Sequence, residues 1–443
     1  MKKILALIMA LALVMGLAVT AFAADSYSIT ITPPNGIESA TYKVYKVFNA
    51  VPGENNTISY TLVSGKTTAP AGFTVDAAGN VSYTGDATGD ELTAADINAI
   101  KDYVTAADLV ATVNVTNGDP VVVSLTDAGY YYIATTNGAV VGVDSTKPTA
   151  AVTDKNQVPT IEKEIYDINS DLTGGVTSAS TSFGSYITFN LSITIPATTP
   201  AGTVIQVYDE MDGALDAQGT LAGKYTDLGF VGNAGWNGWE DTHLGTITVN
   251  ANNVGKTIVL QYTADFLGEY AVVGDAGNKN AAWLISDGYT SEKSENTIYT
   301  YQVDVYKWTG TESNGLAGAG FKLKDQWGNY YTEGQGTVTW TSNGTELTTD
   351  AAEGYVISFV GIPSGTYTLE ETTVPPGYNK AADEEIVITN ANWVEDNRVE
   401  VENKTGSELP STGGIGTTLF YVIGTLMMTG AAVLMITKKR MSV

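Results

Sequence analysis

The sequence predicts a mainly β protein, built of tandem Ig-like β-sandwich domains that form an elongated rod with one short helix. The chain is rich in Thr, Val, Tyr, Gly and Asn, and turn-forming residues recur at short intervals. β-branched and aromatic residues favour strands, and frequent turn signals keep those strands short. Long stretches of 3.6-residue periodicity are scarce, which argues against a helical fold.

The helix is predicted near the middle of the first domain. Thr93 is a candidate N-cap, and apolar residues follow it at near-helical spacing: Ile97, Ile100, Val104 and Leu109. The surrounding segments alternate polar and apolar residues, as in Tyr27-Ser28-Ile29-Thr30-Ile31, and this alternation indicates half-buried strands.

Both ends of the chain carry targeting signals. Lys2 and Lys3 precede an uncharged stretch that closes on small residues, which predicts a secretory signal peptide over residues 1–23. Residues 413–437 contain no charge and precede Lys438, Lys439 and Arg440. That pattern predicts a membrane span with a basic tip retained in the cytoplasm.

The pentapeptide Leu409-Pro410-Ser411-Thr412-Gly413 stands directly before this span. Pentapeptide, span and basic tip together resemble the three-part sorting signal of sortase substrates. The resemblance implies that a sortase cysteine cuts between Thr412 and Gly413, which leaves a mature chain of residues 24–412. The expected location is the cell surface of a Gram-positive bacterium, where the secreted chain is anchored to the wall.

The remaining sequence predicts three domains, at residues 24–155, 156–300 and 301–404, before the sorting signal at 405–443. A net charge of −26 with no basic patch argues against nucleic acid as a partner. The chain has no cysteine and a single histidine, so no disulfide or thiolate metal site can form. No cofactor, no metal and no enzymatic activity beyond autocatalytic bond formation within the chain are predicted.

The third domain carries the most specific internal motif. Its segment from Tyr367 to Tyr378, Tyr-Thr-Leu-Glu-Glu-Thr-Thr-Val-Pro-Pro-Gly-Tyr, resembles the box of the collagen-adhesin B-type domain. The resemblance implies an isopeptide bond in which Lys307 attacks Asn403 with Glu371 as the promoting acid. Tyr367, Leu369 and Glu371 alternate onto one face of a strand, which is why Glu371 is chosen over Glu370.

The second domain resembles the matching domain of isopeptide-forming fimbrial proteins, through a lysine strand, an aspartate strand and an asparagine strand. The implied residues are Lys163, Asp209 and Asn280, with Asn278 as a competing electrophile. Burial would favour the neutral amine and the protonated acid, which could hydrogen-bond the asparagine carbonyl. In the first domain, no acid or asparagine is assigned as a crosslinking partner of the lysines.

The first domain is similar to the N-terminal domain of sortase-assembled backbone pilins, and Lys155 stands at its end in Val-Thr-Asp-Lys-Asn. The resemblance implies a structural pilus subunit in which Lys155 of one copy is joined to Thr412 of the next. Expected partners are a class C or housekeeping sortase, other copies of the chain, peptidoglycan, tip and base pilins, and host surface ligands. The alternative is a monomeric wall-anchored adhesin that binds host matrix or glycan.

Overall fold

The computed structural model describes residues 26–85, 92–135, 138–169, 174–389, 398–406 and 415–440. Two predicted segments lie outside these residues, the signal peptide at 1–23 and the sorting pentapeptide at 409–413. The described chain is mainly β with one short helix in its first third, so both of these predictions are confirmed. Its described residues divide into two compact units: the second contains those from residue 300 onward together with 180–183 and 273–276, and the first contains the others.

The first unit contains the strands of the first two predicted domains. Those of the first domain are Tyr27–Thr32 (β1), Ile37–Pro52 (β2), Ile58–Leu62 (β3), Phe73–Val75 (β4), Asn80–Tyr83 (β5), Leu109–Thr116 (β6), Val121–Leu125 (β7), Gly129–Ala134 (β8), Ala139–Val143 (β9) and Thr149–Thr153 (β10). Those that follow are Thr160–Ile168 (β11), Ser178–Ser180 (β12), Tyr186–Thr194 (β13), Val204–Met211 (β14), Leu215–Ala217 (β15), Phe230–Gly232 (β16), His243–Thr248 (β17), Thr257–Phe266 (β18), Asn278–Ser286 (β19), Tyr289–Ser291 (β20) and Ser294–Tyr299 (β21).

Two facing sheets build the second domain. One has the order β11-β13-β18-β15, and the other contains β16-β17-β14-β19 with β21 beside β19. Alternate residues of these strands point inward, as in β13, where Ile187, Phe189, Leu191 and Ile193 are all fully buried. The functional side chains described below project into the layer between these two sheets.

A short strand links the second domain to the first. The chain turns back after β19 into β20, which pairs with β2 so that Tyr289 lies opposite Ala40. Tyr289 thereby joins the apolar core of the first domain with Tyr42 and Ile31. One sheet therefore continues from β14 and β19 of the second domain through β20 into β2 of the first domain.

The second unit contains the third predicted domain. Its strands are Tyr301–Thr309 (β22), Thr311–Gly315 (β23), Gly320–Asp325 (β24), Tyr330–Glu333 (β25), Val338–Thr341 (β26), Leu347–Thr348 (β27), Val356–Ile362 (β28), Gly365–Thr373 (β29), Glu384–Ile388 (β30) and Arg398–Glu402 (β31). One sheet has the order β23-β22-β28 with β31 beside β22, and the other has the order β26-β25-β24-β29-β30. The first and last strands, β22 and β31, are parallel neighbours.

The predicted helix of the first domain is α1, Ala94–Tyr103. Thr93 caps it as predicted. Its hydroxyl oxygen accepts a hydrogen bond from the Asp96 amide at 3.3 Å, and the Asp96 carboxylate accepts one from the Thr93 amide at 2.9 Å. The helix is shorter than the apolar spacing indicated, because Val104 is extended and Leu109 begins β6. From Leu109 onward the chain pairs with β2 and forms a strand, although the apolar residues up to Leu109 are spaced as in a helix.

A second helix, α2, spans Ile415–Arg440. Within the part of the chain whose side chains are described, no helix combines the length and hydropathy needed to cross a membrane. The span predicted at 413–437 includes residues outside that part, and it stays a prediction.

We expect Thr93→Ala to lower the free energy of unfolding by about 1 kcal/mol, because the Asp96 amide loses its capping acceptor. Urea denaturation followed by circular dichroism measures the change. Thr93→Ser keeps the hydroxyl and serves as the control. An equal loss in both variants would contradict a capping role.

Candidate functional site

The first candidate site lies between the two sheets of the second domain. Lys163 on β11 and Tyr262 on β18 project from one sheet, and Asp209 on β14 and Asn280 on β19 project from the other. None of the four side chains is more than 4% exposed. Strand alternation brings each of them inward, because Lys163 follows the same face as Ile165, and Tyr262 the same face as Leu260.

These four side chains form one hydrogen-bonded network. The Lys163 ammonium donates to Asp209 Oδ2 and, at 2.8 Å, to the Tyr262 hydroxyl. Tyr262 donates in turn to Asp209 Oδ1 at 2.9 Å. The Asn280 amide Nδ2 donates to the same Tyr262 oxygen at 2.8 Å. Tyr262 is therefore the group that contacts all three predicted residues.

Burial sets the protonation of this network. Removal from water lowers the pKa of Lys163 to about 8, although the Asp209 carboxylate opposes that change. The same burial raises the pKa of Asp209, against the influence of Lys163. Burial also raises the pKa of Tyr262 well above its ordinary value, so its phenol stays neutral. Burial therefore moves the pKa of the lysine and the pKa of the carboxyl group toward each other.

The two asparagines named from the sequence have different surroundings. Asn278, the competing electrophile, is bound to backbone: its Oδ1 accepts from the Val272 amide, and its Nδ2 donates to the carbonyls of Val272 and Ile298. Asn280 instead contacts the lysine network through Tyr262. Asn280 Oδ1 is buried and has no hydrogen-bond partner among the described residues.

Sequence reasoning missed two members of this site, Tyr262 and Asn296. Asn296 lies opposite Asn280 in the pairing of β19 with β21, and its Nδ2 donates to the backbone carbonyl of Lys163 at 3.1 Å. Tyr262 could have been found from the alternation of Ile258, Leu260 and Tyr262, which places a hydroxyl on an inward face. No sequence signal shows that this hydroxyl meets Lys163.

The second candidate site lies inside the third domain and unites all three predicted residues. Lys307 on β22, Glu371 on β29 and Asn403, directly after β31, are at most 2% exposed. The parallel pairing of β22 with β31 sets Lys307 opposite Val401 and places Asn403 beside the lysine side chain. Glu371 approaches from the facing sheet.

In this site the lysine contacts the asparagine directly. Lys307 Nζ donates to Asn403 Oδ1 at 2.6 Å and to the Val401 carbonyl at 3.0 Å. Asn403 Nδ2 donates to Glu371 Oε1 at 2.7 Å, and Nζ lies 3.8 Å from that same oxygen. Burial lowers the pKa of Lys307 to about 8, although Glu371 opposes it.

One expected contact differs. The acid was predicted to hydrogen-bond the asparagine carbonyl, whereas Glu371 accepts from the asparagine NH₂ group. The Lys307 ammonium donates to that carbonyl oxygen instead. In the second domain, too, the asparagine nitrogen is a donor: Asn280 Nδ2 donates to the Tyr262 hydroxyl.

Lys155 has the opposite environment, because it is exposed between two buried neighbours, Asp154 and Asn156. Asp154 Oδ2 accepts from the hydroxyls of Tyr42, at 3.0 Å, and Tyr289, at 2.6 Å. Asn156 Nδ2 donates to the Tyr289 hydroxyl at 3.1 Å. The backbone on both sides of Lys155 is thus fixed while its side chain faces solvent.

The pentapeptide at 409–413 lies outside the described residues, so its predicted role stays a prediction. Among the described residues, no group of three or more His, Asp or Glu side chains is arranged to hold a metal ion.

Comparison with known families identifies the C-terminal part of the chain. Residues 301–405 match SpaA, a prealbumin-like fold domain, and residues 401–442 match the LPXTG cell wall anchor motif. No curated protein matches the sequence.

Several solved structures align with most of the chain. The T6 backbone pilin of serotype M6 Streptococcus pyogenes has 18% identity and a TM-score of 0.44, with 83% of this chain and 81% of that chain covered. The major pilin SpaD from Corynebacterium diphtheriae has 17% identity and a TM-score of 0.40, with coverage of 88% and 100%. RrgB from Streptococcus pneumoniae has 12% identity and a TM-score of 0.41, with coverage of 89% and 100%.

The chain is therefore a mainly β surface protein that is anchored to the bacterial cell wall. Within it, residues 301–405 match the SpaA prealbumin-like fold domain.

We expect Tyr289→Phe to lower the free energy of unfolding by roughly 1–3 kcal/mol, because Asp154 loses a donor and the Asn156 amide loses its acceptor. Chemical denaturation measures the difference. Tyr270→Phe is the matched control, since Tyr270 is 60% exposed. Equal stability of the two variants would argue against a fixed backbone around Lys155.

Proposed function

We propose that the chain is a structural subunit of a covalently polymerised pilus anchored to the cell wall. The observation that carries this proposal is that one chain combines a cell wall sorting motif with an exposed lysine, Lys155, between two buried and hydrogen-bonded neighbours. The first supplies an acyl donor at Thr412, and the second an amine acceptor at Lys155. A polymer needs both in every subunit.

The joint between subunits follows from sortase chemistry. A sortase thiolate attacks the Thr412 carbonyl, breaks the Thr412–Gly413 peptide bond and releases the Gly413 amine. The neutral amine of Lys155 in a second copy then attacks the thioester, forms an amide with Thr412 and releases the thiolate. A class C sortase would carry out polymerisation, and a housekeeping sortase would attach the last subunit to peptidoglycan.

Internal isopeptide bonds would strengthen each subunit. In the third domain, Lys307 transfers a proton to Glu371, and its amine attacks the side-chain carbonyl carbon of Asn403, which expels ammonia. Contact between Nζ and Oδ1 at 2.6 Å supports this assignment, because the reacting groups already touch. Lys163, Asp209 and Asn280 would form the second bond, and Asn278 is less suited because backbone groups engage both its amide atoms.

The position of the third-domain bond suits a fibre under tension. Lys307 lies on the first strand of the domain, and Asn403 follows the last strand, so the crosslink would join the two points where force enters and leaves. A comparable covalent constraint, the disulfide, typically adds about 2–4 kcal/mol of stability. The chain contains no cysteine, and isopeptide bonds would supply this constraint instead.

With both bonds formed, we expect the mature chain to be about 34 Da lighter than its sequence mass, since each bond expels one ammonia of about 17 Da. Glu371→Gln and Asp209→Asn remove one promoting acid each, so each variant should form only one of the two bonds. Apart from the mass change of the substitution itself, each variant should therefore be about 17 Da heavier than the wild-type chain. Intact-mass spectrometry measures both. An unshifted wild-type mass would refute the internal bonds.

We expect Lys155→Ala to abolish the high-mass ladder of wall extracts and leave monomers on peptidoglycan. Lys147→Ala is the matched control, because Lys147 is also exposed near the end of the first domain. Gel electrophoresis of muramidase extracts, with mass spectrometry of the linked peptides, makes the comparison. Ladders that persist in Lys155→Ala would exclude this lysine, and wild-type monomers alone would favour the adhesin alternative.

A further inference from the structure

The two buried lysine sites differ in how the acid meets the asparagine. In the third domain, Glu371 Oε1 contacts Asn403 Nδ2 directly at 2.7 Å. In the second domain the acid is aspartate, which is one methylene shorter. Among the described residues, the side-chain oxygens of Asp209 accept hydrogen bonds from Lys163 and Tyr262 and from no other group.

In the second domain, a tyrosine hydroxyl lies between the acid and the asparagine. The Tyr262 oxygen lies 2.9 Å from Asp209 Oδ1 and 2.8 Å from Asn280 Nδ2. It also lies 2.8 Å from Lys163 Nζ. One hydroxyl is thus in hydrogen-bond contact with the nucleophile, the acid and the nitrogen that must leave.

We propose that Tyr262 is a catalytic residue that relays a proton from Asp209 to the leaving nitrogen of Asn280. This inference rests on the proposed isopeptide chemistry and assigns a fourth participant to it.

The proton transfers balance. Lys163 gives one proton to Asp209, and the resulting amine attacks the side-chain carbonyl carbon of Asn280 to form a tetrahedral intermediate. Tyr262 donates its phenolic proton to Nδ2 and takes the proton of Asp209 in exchange. The carbon–nitrogen bond then breaks and ammonia leaves, after which the new amide nitrogen gives its extra proton to the Asp209 carboxylate. Tyr262 ends as it began, a neutral phenol.

The surroundings of Tyr262 suit a relay. Its ring is held against Phe189, with centroids 5.4 Å apart, and edge-on against Trp236, with centroids 4.9 Å apart. Trp236 also donates to the Asp209 backbone carbonyl at 3.1 Å, which fixes ring and acid together. Burial raises the pKa of Tyr262, so the hydroxyl keeps the proton that it must pass on.

The decisive variant is Tyr262→Phe in the full-length chain. Pulse-labelled chains are sampled over time and digested, and the peptide pair that contains Lys163 and Asn280 is quantified by mass spectrometry. Loss of a general acid typically slows a reaction by a factor of roughly 100 to 10,000, so we expect the Lys163–Asn280 link to form at least about 100-fold more slowly. The Lys307–Asn403 link in the same molecule should form at the wild-type rate.

Two further variants separate catalysis from folding. Tyr208→Phe removes the neighbouring hydroxyl that bonds Gln206 at 2.8 Å, and it should link normally. Tyr262→Phe combined with Asp209→Glu lengthens the acid by one methylene, which reproduces the direct contact of the third domain. We expect this double variant to recover at least part of the linking rate that Tyr262→Phe loses.

The outcomes are distinct. Slow linking in Tyr262→Phe with recovery in the double variant supports the relay. A wild-type linking rate in Tyr262→Phe overturns it. Slow linking in both Tyr262→Phe and the Tyr262→Phe, Asp209→Glu double variant also overturns it, because Tyr262 would then act through packing alone. A Lys163–Asn296 or Lys163–Asn278 pair in the wild-type digest overturns it as well. Absence of every linked pair in the wild-type chain would instead refute the proposed isopeptide chemistry itself.

Discussion

The constraint on which both crosslinking domains depend is the burial of a lysine between two β-sheets. Lys163 and Lys307 are fully buried, and an ammonium in such a place is tolerated only when other groups compensate its charge. Each lysine has a carboxylate from the facing sheet within ion-pair distance. Burial lowers the pKa of both amines, so the core that excludes water also brings them toward the nucleophilic form.

The two domains meet this constraint with different side chains. Glutamate reaches the asparagine amide by itself in the third domain, whereas aspartate in the second is joined to its asparagine by the Tyr262 hydroxyl. A tyrosine on β18 can occupy that place because the strand lies in the sheet opposite Asp209. The packing of the two sheets therefore determines how long the acidic side chain must be to reach the asparagine, and whether an additional hydroxyl is needed to connect the two.

Lys155, in contrast to Lys163 and Lys307, is exposed. Its neighbours Asp154 and Asn156 turn inward to hydroxyls of Tyr42 and Tyr289, which leaves the lysine facing solvent. Tyr289 comes from β20, the short strand that joins the first domain through its pairing with β2. The lysine proposed for assembly is therefore held where the first two domains meet, and its exposure is set by the burial of its neighbours.

Sequence alone determined the mainly β class, the Thr93 cap and the inward faces of the strands, because period-two alternation is a local property that sheet formation preserves. It also indicated which lysine, acid and asparagine could share a core. It overestimated the helix that starts after Thr93, since pairing of Leu109 with β2 is not local. Only tertiary structure brought Tyr262 to Lys163 and set Asn296 opposite Asn280, because contacts between sheets and between distant strands depend on packing that no short sequence pattern encodes.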